Sequence, residues 1–124
     1  MRSSIALCLL LFNYAVNSHE QTPTYPTWKA SGISEVKKTQ LKLWNSRPDI
    51  EYYEIGVFDG DWQPIPFVTA YKILPVEYLQ EVKIDIYIRE SNITEARYVC
   101  SLSKLRSNDE SQTLLATRIC SKFK

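Results

Sequence analysis

The side chains here that could do chemistry are few: one histidine, His19, and three cysteines, Cys8, Cys100 and Cys120. Nucleophilic catalysis needs a base beside a serine or cysteine. His19 lies near the start of the chain, where ordered catalytic geometry is seldom built. One histidine and three cysteines at these spacings match no metal-ligand pattern. The nucleophile-elbow, zincin, P-loop and dinucleotide fingerprints are absent from the sequence. Glu51, Glu54, Asp59 and Asp61 cluster beside Asp59-Gly60, where an acid pair could be imagined, but a solvated turn accounts for them more simply. The residues therefore predict no catalytic group, no metal and no cofactor, and a chain that is not an enzyme.

The elements that would position any site come next. The chain has 124 residues, which suggests one domain beyond any leader. Fifteen basic and fourteen acidic side chains give a net charge of +1, with no basic face for nucleic acid. The start reads as a secretory signal. Arg2 precedes the apolar run Ile5–Phe12, and the stretch ending Val16-Asn17-Ser18 has small residues for cleavage. The run is too short to span a bilayer. Cleavage after Ser18 removes Cys8 and leaves two cysteines in an oxidising compartment, so Cys100 and Cys120 read as a disulfide. The product is expected to be secreted and extracellular, without a membrane anchor. Asn92-Ile93-Thr94 is a glycosylation acceptor in such a chain.

Residues 19–31, with Pro23 and Pro26, read as an extended, flexible lead-in, and residues 32–124 as the domain. Residues 34–45 predict a short helix with Ser34 as N-cap, on which Val36, Gln40, Leu43 and Trp44 share a face. Leu41-Lys42-Leu43 also fits a strand. From Ile50 the pattern is β: Ile50–Phe58, then Phe67–Leu74, then Val82–Arg89, then residues 96–105 and 113–120. In the third of these Val82, Ile84, Ile86 and Ile88 alternate with Lys83, Asp85, Tyr87 and Arg89, as on a half-buried strand. A hairpin centred on Glu110 sets Cys100 opposite Cys120, Ser101 opposite Ile119 and Leu105 opposite Leu115, which agrees with the disulfide. Tyr52, Tyr53, Trp62 and Phe67 could line a ligand site, although core and strand-face positions suit them better.

One helix followed by an antiparallel meander and a disulfide-tied hairpin resembles the cystatin superfamily. The likeness rests on Cys100 to Cys120 with Tyr98-Val99-Cys100-Ser101-Leu102 leading in, on the strand Val82–Glu90, and on Gly32-Ile33-Ser34-Glu35 ahead of the helix. It implies an α+β fold, one helix packed on a four- to five-stranded antiparallel sheet. It also implies a non-enzymatic binding protein whose partner is secreted or lysosomal, with papain-like cysteine proteases as the family's target. Three segments would form the inhibitory wedge: Gly32, then Leu74, Pro75, Val76 and Glu77, then Asn108, Asp109 and Glu110. The second and third carry charge in place of the family's close-packing Gly and apolar wedge, so inhibition is expected to be weak or lost. The alternative is an all-β meander or barrel, either carrying a small ligand or binding another secreted partner. Residues 34–46 discriminate, as helix or as strand.

Overall fold

The computed structural model describes residues 19–104 and 117–124. Its architecture is two antiparallel sheets packed face to face. The first holds β1 (Glu20–Thr22), β2 (Lys29–Ala30), β3 (Val36–Trp44) and β6 (Glu81–Arg89). The second holds β5 (Ile73–Pro75), β4 (Tyr52–Phe58), β7 (Tyr98–Lys104) and β8 (Arg118–Lys122), in that spatial order. The helical content among the described residues is one 3-10 turn, Glu90–Asn92.

The expected α+β fold is therefore corrected to all-β. Residues 36–44 form a nine-residue strand where a helix is predicted. It pairs with β6 along its whole length, from Val36 opposite Arg89 to Trp44 opposite Glu81. Thr39, Leu41 and Leu43 point inward and are buried; Gln40 and Lys42 point out. A helical face would separate Leu41 from Leu43, whereas the strand buries both against Ile84, Ile86 and Ile88. Each buried Leu or Ile contributes roughly 2 kcal/mol, so a one-residue slip, which turns the whole set outward, is strongly disfavoured. The all-β alternative describes the architecture, but the sheets stack and do not close into a barrel.

Residues 19–31 also differ from the expected flexible lead-in. β1 and β2 both pair with one edge of β3, and Thr24 and Pro26 accept hydrogen bonds from the amides of Lys122 and Lys124 beside β8. The opening segment thus crosses from one sheet to the other. The closing hairpin follows its expected register, with Cys100 opposite Cys120 and Ser101 opposite Ile119, and the disulfide is formed. Its tip, including Leu105 and Leu115, lies outside the described residues.

The two sheets share one core, in which Tyr53, Ile55 and Val57 of β4 and Val99 of β7 meet β3 and β6. Where β3 ends, Asn45 is completely buried. Its Nδ2 donates to the carbonyls of Ile50 (2.7 Å) and Val76 (2.9 Å). Its Oδ1 accepts from the Tyr53 hydroxyl (2.5 Å) and the Arg47 amide (2.9 Å). Burial pushes the Tyr53 phenol up to about 12, so it stays a donor. Asn45→Ala would strip all four groups of this partner at once. Buried polar groups left unpaired cost about 1–3 kcal/mol each, so the variant is expected to lose on the order of 3 kcal/mol or more in urea unfolding, against less than about 1 kcal/mol for an exposed Gln40→Ala.

Candidate functional site

Two arrangements in the sandwich bear on function: a buried polar cluster and an open strand edge. The cluster begins with His19, which is 1% exposed and fixed just ahead of β1. Its Nε2 lies 2.8 Å from Ser101 Oγ and 3.2 Å from Ser101 O. Ser101 donates its own proton to Gln21 Oε1 at 2.6 Å. Nε2 therefore carries the ring proton and donates to Ser101. Gln21 Nε2 donates in turn to Ser121 Oγ and to Val99 O. The geometry brings a base beside a hydroxyl, yet Ser101 has no exposed surface and its proton is committed to Gln21. What the cluster does is tie β1 to β7 and β8 across the sandwich.

The open edge belongs to β6. On one side β6 is fully paired with β3. On the other, Tyr87 exchanges both backbone bonds with Val68, and the Thr69 hydroxyl donates to the Asp85 carbonyl. Because strand residues alternate in direction, the groups on this outer side are those of Glu81, Lys83, Asp85 and Tyr87. Among the described residues no backbone partner meets Lys83 there. The connection between the Val68 bridge and β6 carries five strongly exposed apolar side chains, Val68, Tyr71, Ile73, Tyr78 and Leu79. They stand on the β5 and β6 side of the sandwich. An unpaired ladder beside exposed apolar surface is the arrangement that accepts an added strand. Among the described residues the outer edge of β8 is likewise without backbone partners at Arg118 and Cys120, before Lys122 meets Thr24.

The residues singled out in the sequence are dispersed. Gly32, with φ of +83°, turns the chain between β2 and β3 at the end of β3 opposite to β5. Leu74 and Val76 are buried core residues, Pro75 sits in β5, and the Glu77 amide donates to Gln80 Oε1 in the turn before β6. Asn108, Asp109 and Glu110 lie outside the described residues. Gly32 and Leu74–Glu77 are thus not brought together. Asn92 closes the 3-10 turn and is half-buried. Asp59 uses its carboxylate to cap the amides of Asp61 and Gln63, and Glu54 pairs with Lys104 at 2.6 Å, so these two acids have local partners. Tyr53 points into the core, Tyr52 points out, and Trp62 stacks on Tyr98, so the four aromatics form no common site. The open edge was hidden because Phe67–Leu74 reads as a full strand, while only Val68 pairs with β6 and Ile73 and Leu74 pair with β4.

Burial lowers the His19 pKa from its usual 6.5, and the nearby Arg47 cation lowers it further, against a raising contribution from the Ser101 carbonyl. The folded state thus binds fewer protons than the unfolded chain below that value. Stability from this source is complete above pH 6.5 and is lost as the pH falls, by up to about 1.4 kcal/mol per unit. Urea midpoints measured between about pH 5 and 8 should fall in acid for the native chain, and His19→Gln should flatten that slope.

No family model matches the sequence, and no curated protein matches it. The fold does match solved structures. The periplasmic chaperone SfaE aligns with a TM-score of 0.55 at 15% identity, over 86% of this chain and 56% of the chaperone. The ASH/PapD-like domain 7 of human CEP192 aligns with a TM-score of 0.50 at 12% identity, over 86% of this chain and 83% of that domain. The chain spans little more than half of the chaperone's length. At these identities the likeness is one of fold, and it overturns the cystatin resemblance: the neighbours are PapD-like, all-β sandwiches, and the helix on which the resemblance turned is β3.

Proposed function

We propose that this chain is a secreted, non-enzymatic protein-binding domain that takes an extended segment of a partner onto the outer edge of β6. The observation that supports it is the outward backbone of Lys83, without a backbone partner among the described residues, on a nine-residue strand flanked by Val68, Tyr71, Ile73, Tyr78 and Leu79. Main-chain bonds supply affinity in strand addition, and apolar side chains beside the edge supply selectivity. One structural neighbour is named a periplasmic chaperone, which agrees with a protein-binding reading. Secretion rests on residues 1–18 as a cleaved leader. β1 begins at Glu20, so cleavage after Ser18 keeps every strand of the described residues and His19 as well. The mass of protein recovered from the secreted fraction is expected to begin at His19; a retained Met1 would refute this part.

The binding site is tested with a synthetic strand-forming peptide of alternating Val and Thr. Amide exchange at Lys83 and Asp85 should slow on addition of the peptide by about tenfold or more. Lys83→Pro removes an outward N–H that β3 does not use, at an edge position where proline is tolerated. It should remain folded and lose the peptide. Protection confined to Arg118 and Cys120 would move the site to β8 and overturn the β6 assignment.

A further inference from the structure

β1 and β2 occupy the same edge of β3 but do not meet. β1 covers Lys42–Trp44 and β2 covers Lys37 and Lys38. Between them the chain leaves the sheet at Pro23–Thr27 to reach β8, and a gap remains in the ladder. Asp85 and Gln40 are Cα partners in the same alternation that turns Tyr87 outward from β3, so the backbone of Gln40 faces this gap. It has no backbone partner there among the described residues.

The gap opens into a concavity of about 500 Å3 lined by Lys29, Lys38, Lys42, Gln40, Thr27 and Asp85, among others. The register sets Lys29 directly opposite Lys38, and Lys42 directly opposite Lys83. Like charges in such pairs destabilise a sheet. The ion pairs found among the described residues lie elsewhere, at Arg47–Asp49 and Lys104–Glu54. Asp85 accepts a hydrogen bond from the Gln40 side chain and is the one acid lining the concavity. Three ammonium groups and one carboxylate leave two positive charges facing a strand amide with no partner.

We infer that this concavity binds a dianionic oxyanion, a phosphate or sulfate ester carried on a group of about sugar size. The charge count matches a dianion better than a single carboxylate. Ammonium donors and a backbone N–H satisfy its oxygens, and the volume is in the range of small-molecule sites. The bound ester relieves the repulsion across the Lys29–Lys38 pair, both of which line the concavity, so the cost of that arrangement is recovered on binding.

Calorimetric titration at constant ionic strength tests this, with inorganic phosphate, glucose 6-phosphate, glucose, and vesicles containing phosphatidic acid as probes. Glucose 6-phosphate should bind and glucose should not. The double change Lys38→Gln with Lys42→Gln should weaken binding by about tenfold or more, while Lys122→Gln on the other sheet leaves it unchanged. Equal binding of inorganic phosphate assigns recognition to the oxyanion alone. Binding to the vesicles without binding of the soluble ester assigns it to a lipid headgroup. Absence of binding to every phosphate probe at millimolar concentration would overturn the inference. So would an equal loss in Lys122→Gln, which would mark non-specific attraction, and so would glucose binding as well as its phosphate.

Discussion

The structure depends on one buried side chain at the point where the first sheet hands over to the second. Asn45 ends β3 and satisfies six groups. Its backbone pairs with Leu79 and Gln80 at the entry to β6, and its amide holds Ile50, Val76, Tyr53 and Arg47. An amide side chain can both donate twice and accept twice, which no apolar residue of its size can do. In a low-dielectric interior such a hub is stabilising when every arm is made and costly when one is missing. Here the arms divide between two connections, Arg47 and Ile50 in the crossing from β3 to β4 and Val76, Leu79 and Gln80 in the turn from β5 to β6, so the two are fixed together.

From that hub a polar line runs through the sandwich. Tyr53 is held by Asn45 and lies 4.6 Å, ring to ring, from His19. His19 holds Ser101, Ser101 holds Gln21, and Gln21 holds Ser121. This line accounts for a strand as short as β1 remaining in place. Three residues of ladder are weak by themselves, whereas buried hydrogen bonds to β7 and β8 fix the same residues from the inside. The detachment of the chain at Pro23–Thr27, which opens the gap beside Gln40, is possible because β1 and β2 are anchored separately on either side of it.

Local alternation was legible in the amino-acid order, and long-range pairing was not. Val82–Arg89 alternates without a break, and the cysteine hairpin has an internal check in its register, so β6 and the pairing of β7 with β8 follow from sequence alone. β3 was harder to read because Thr39 occupies an inward position in the middle of it. A polar residue on the buried face breaks the period of two and lets a helical face through Val36, Gln40, Leu43 and Trp44 look equally good. β1 gave no signal at all. What holds His19 and Gln21 is about eighty residues away in the chain, and two prolines beside them suggest a loose lead-in. The bond between Cys100 and Cys120 follows from the cysteine count and the hairpin register, whereas the cystatin likeness rested on features that any disulfide-tied antiparallel hairpin shares, and the fold it implied is wrong. The open edge is an absence of pairing, and a sequence states which residues can form a strand but not which edges stay uncovered.

An uncovered edge must also avoid its own copies, and the charges on β6 bear on this. Glu81, Lys83 and Asp85 lie on the outer face with their backbones toward the open side. If a second copy paired antiparallel in the register that uses this whole stretch, Lys83 would meet Lys83, and Glu81 would meet Asp85. Like charges directly opposite oppose that pairing, and charged residues on edge strands are a common guard against self-association. A partner strand with an acid opposite Lys83 and bases opposite Glu81 and Asp85 would meet no such penalty. On the strand-addition reading proposed above, the same three side chains that oppose pairing of the edge with its own copy favour one kind of foreign strand over another.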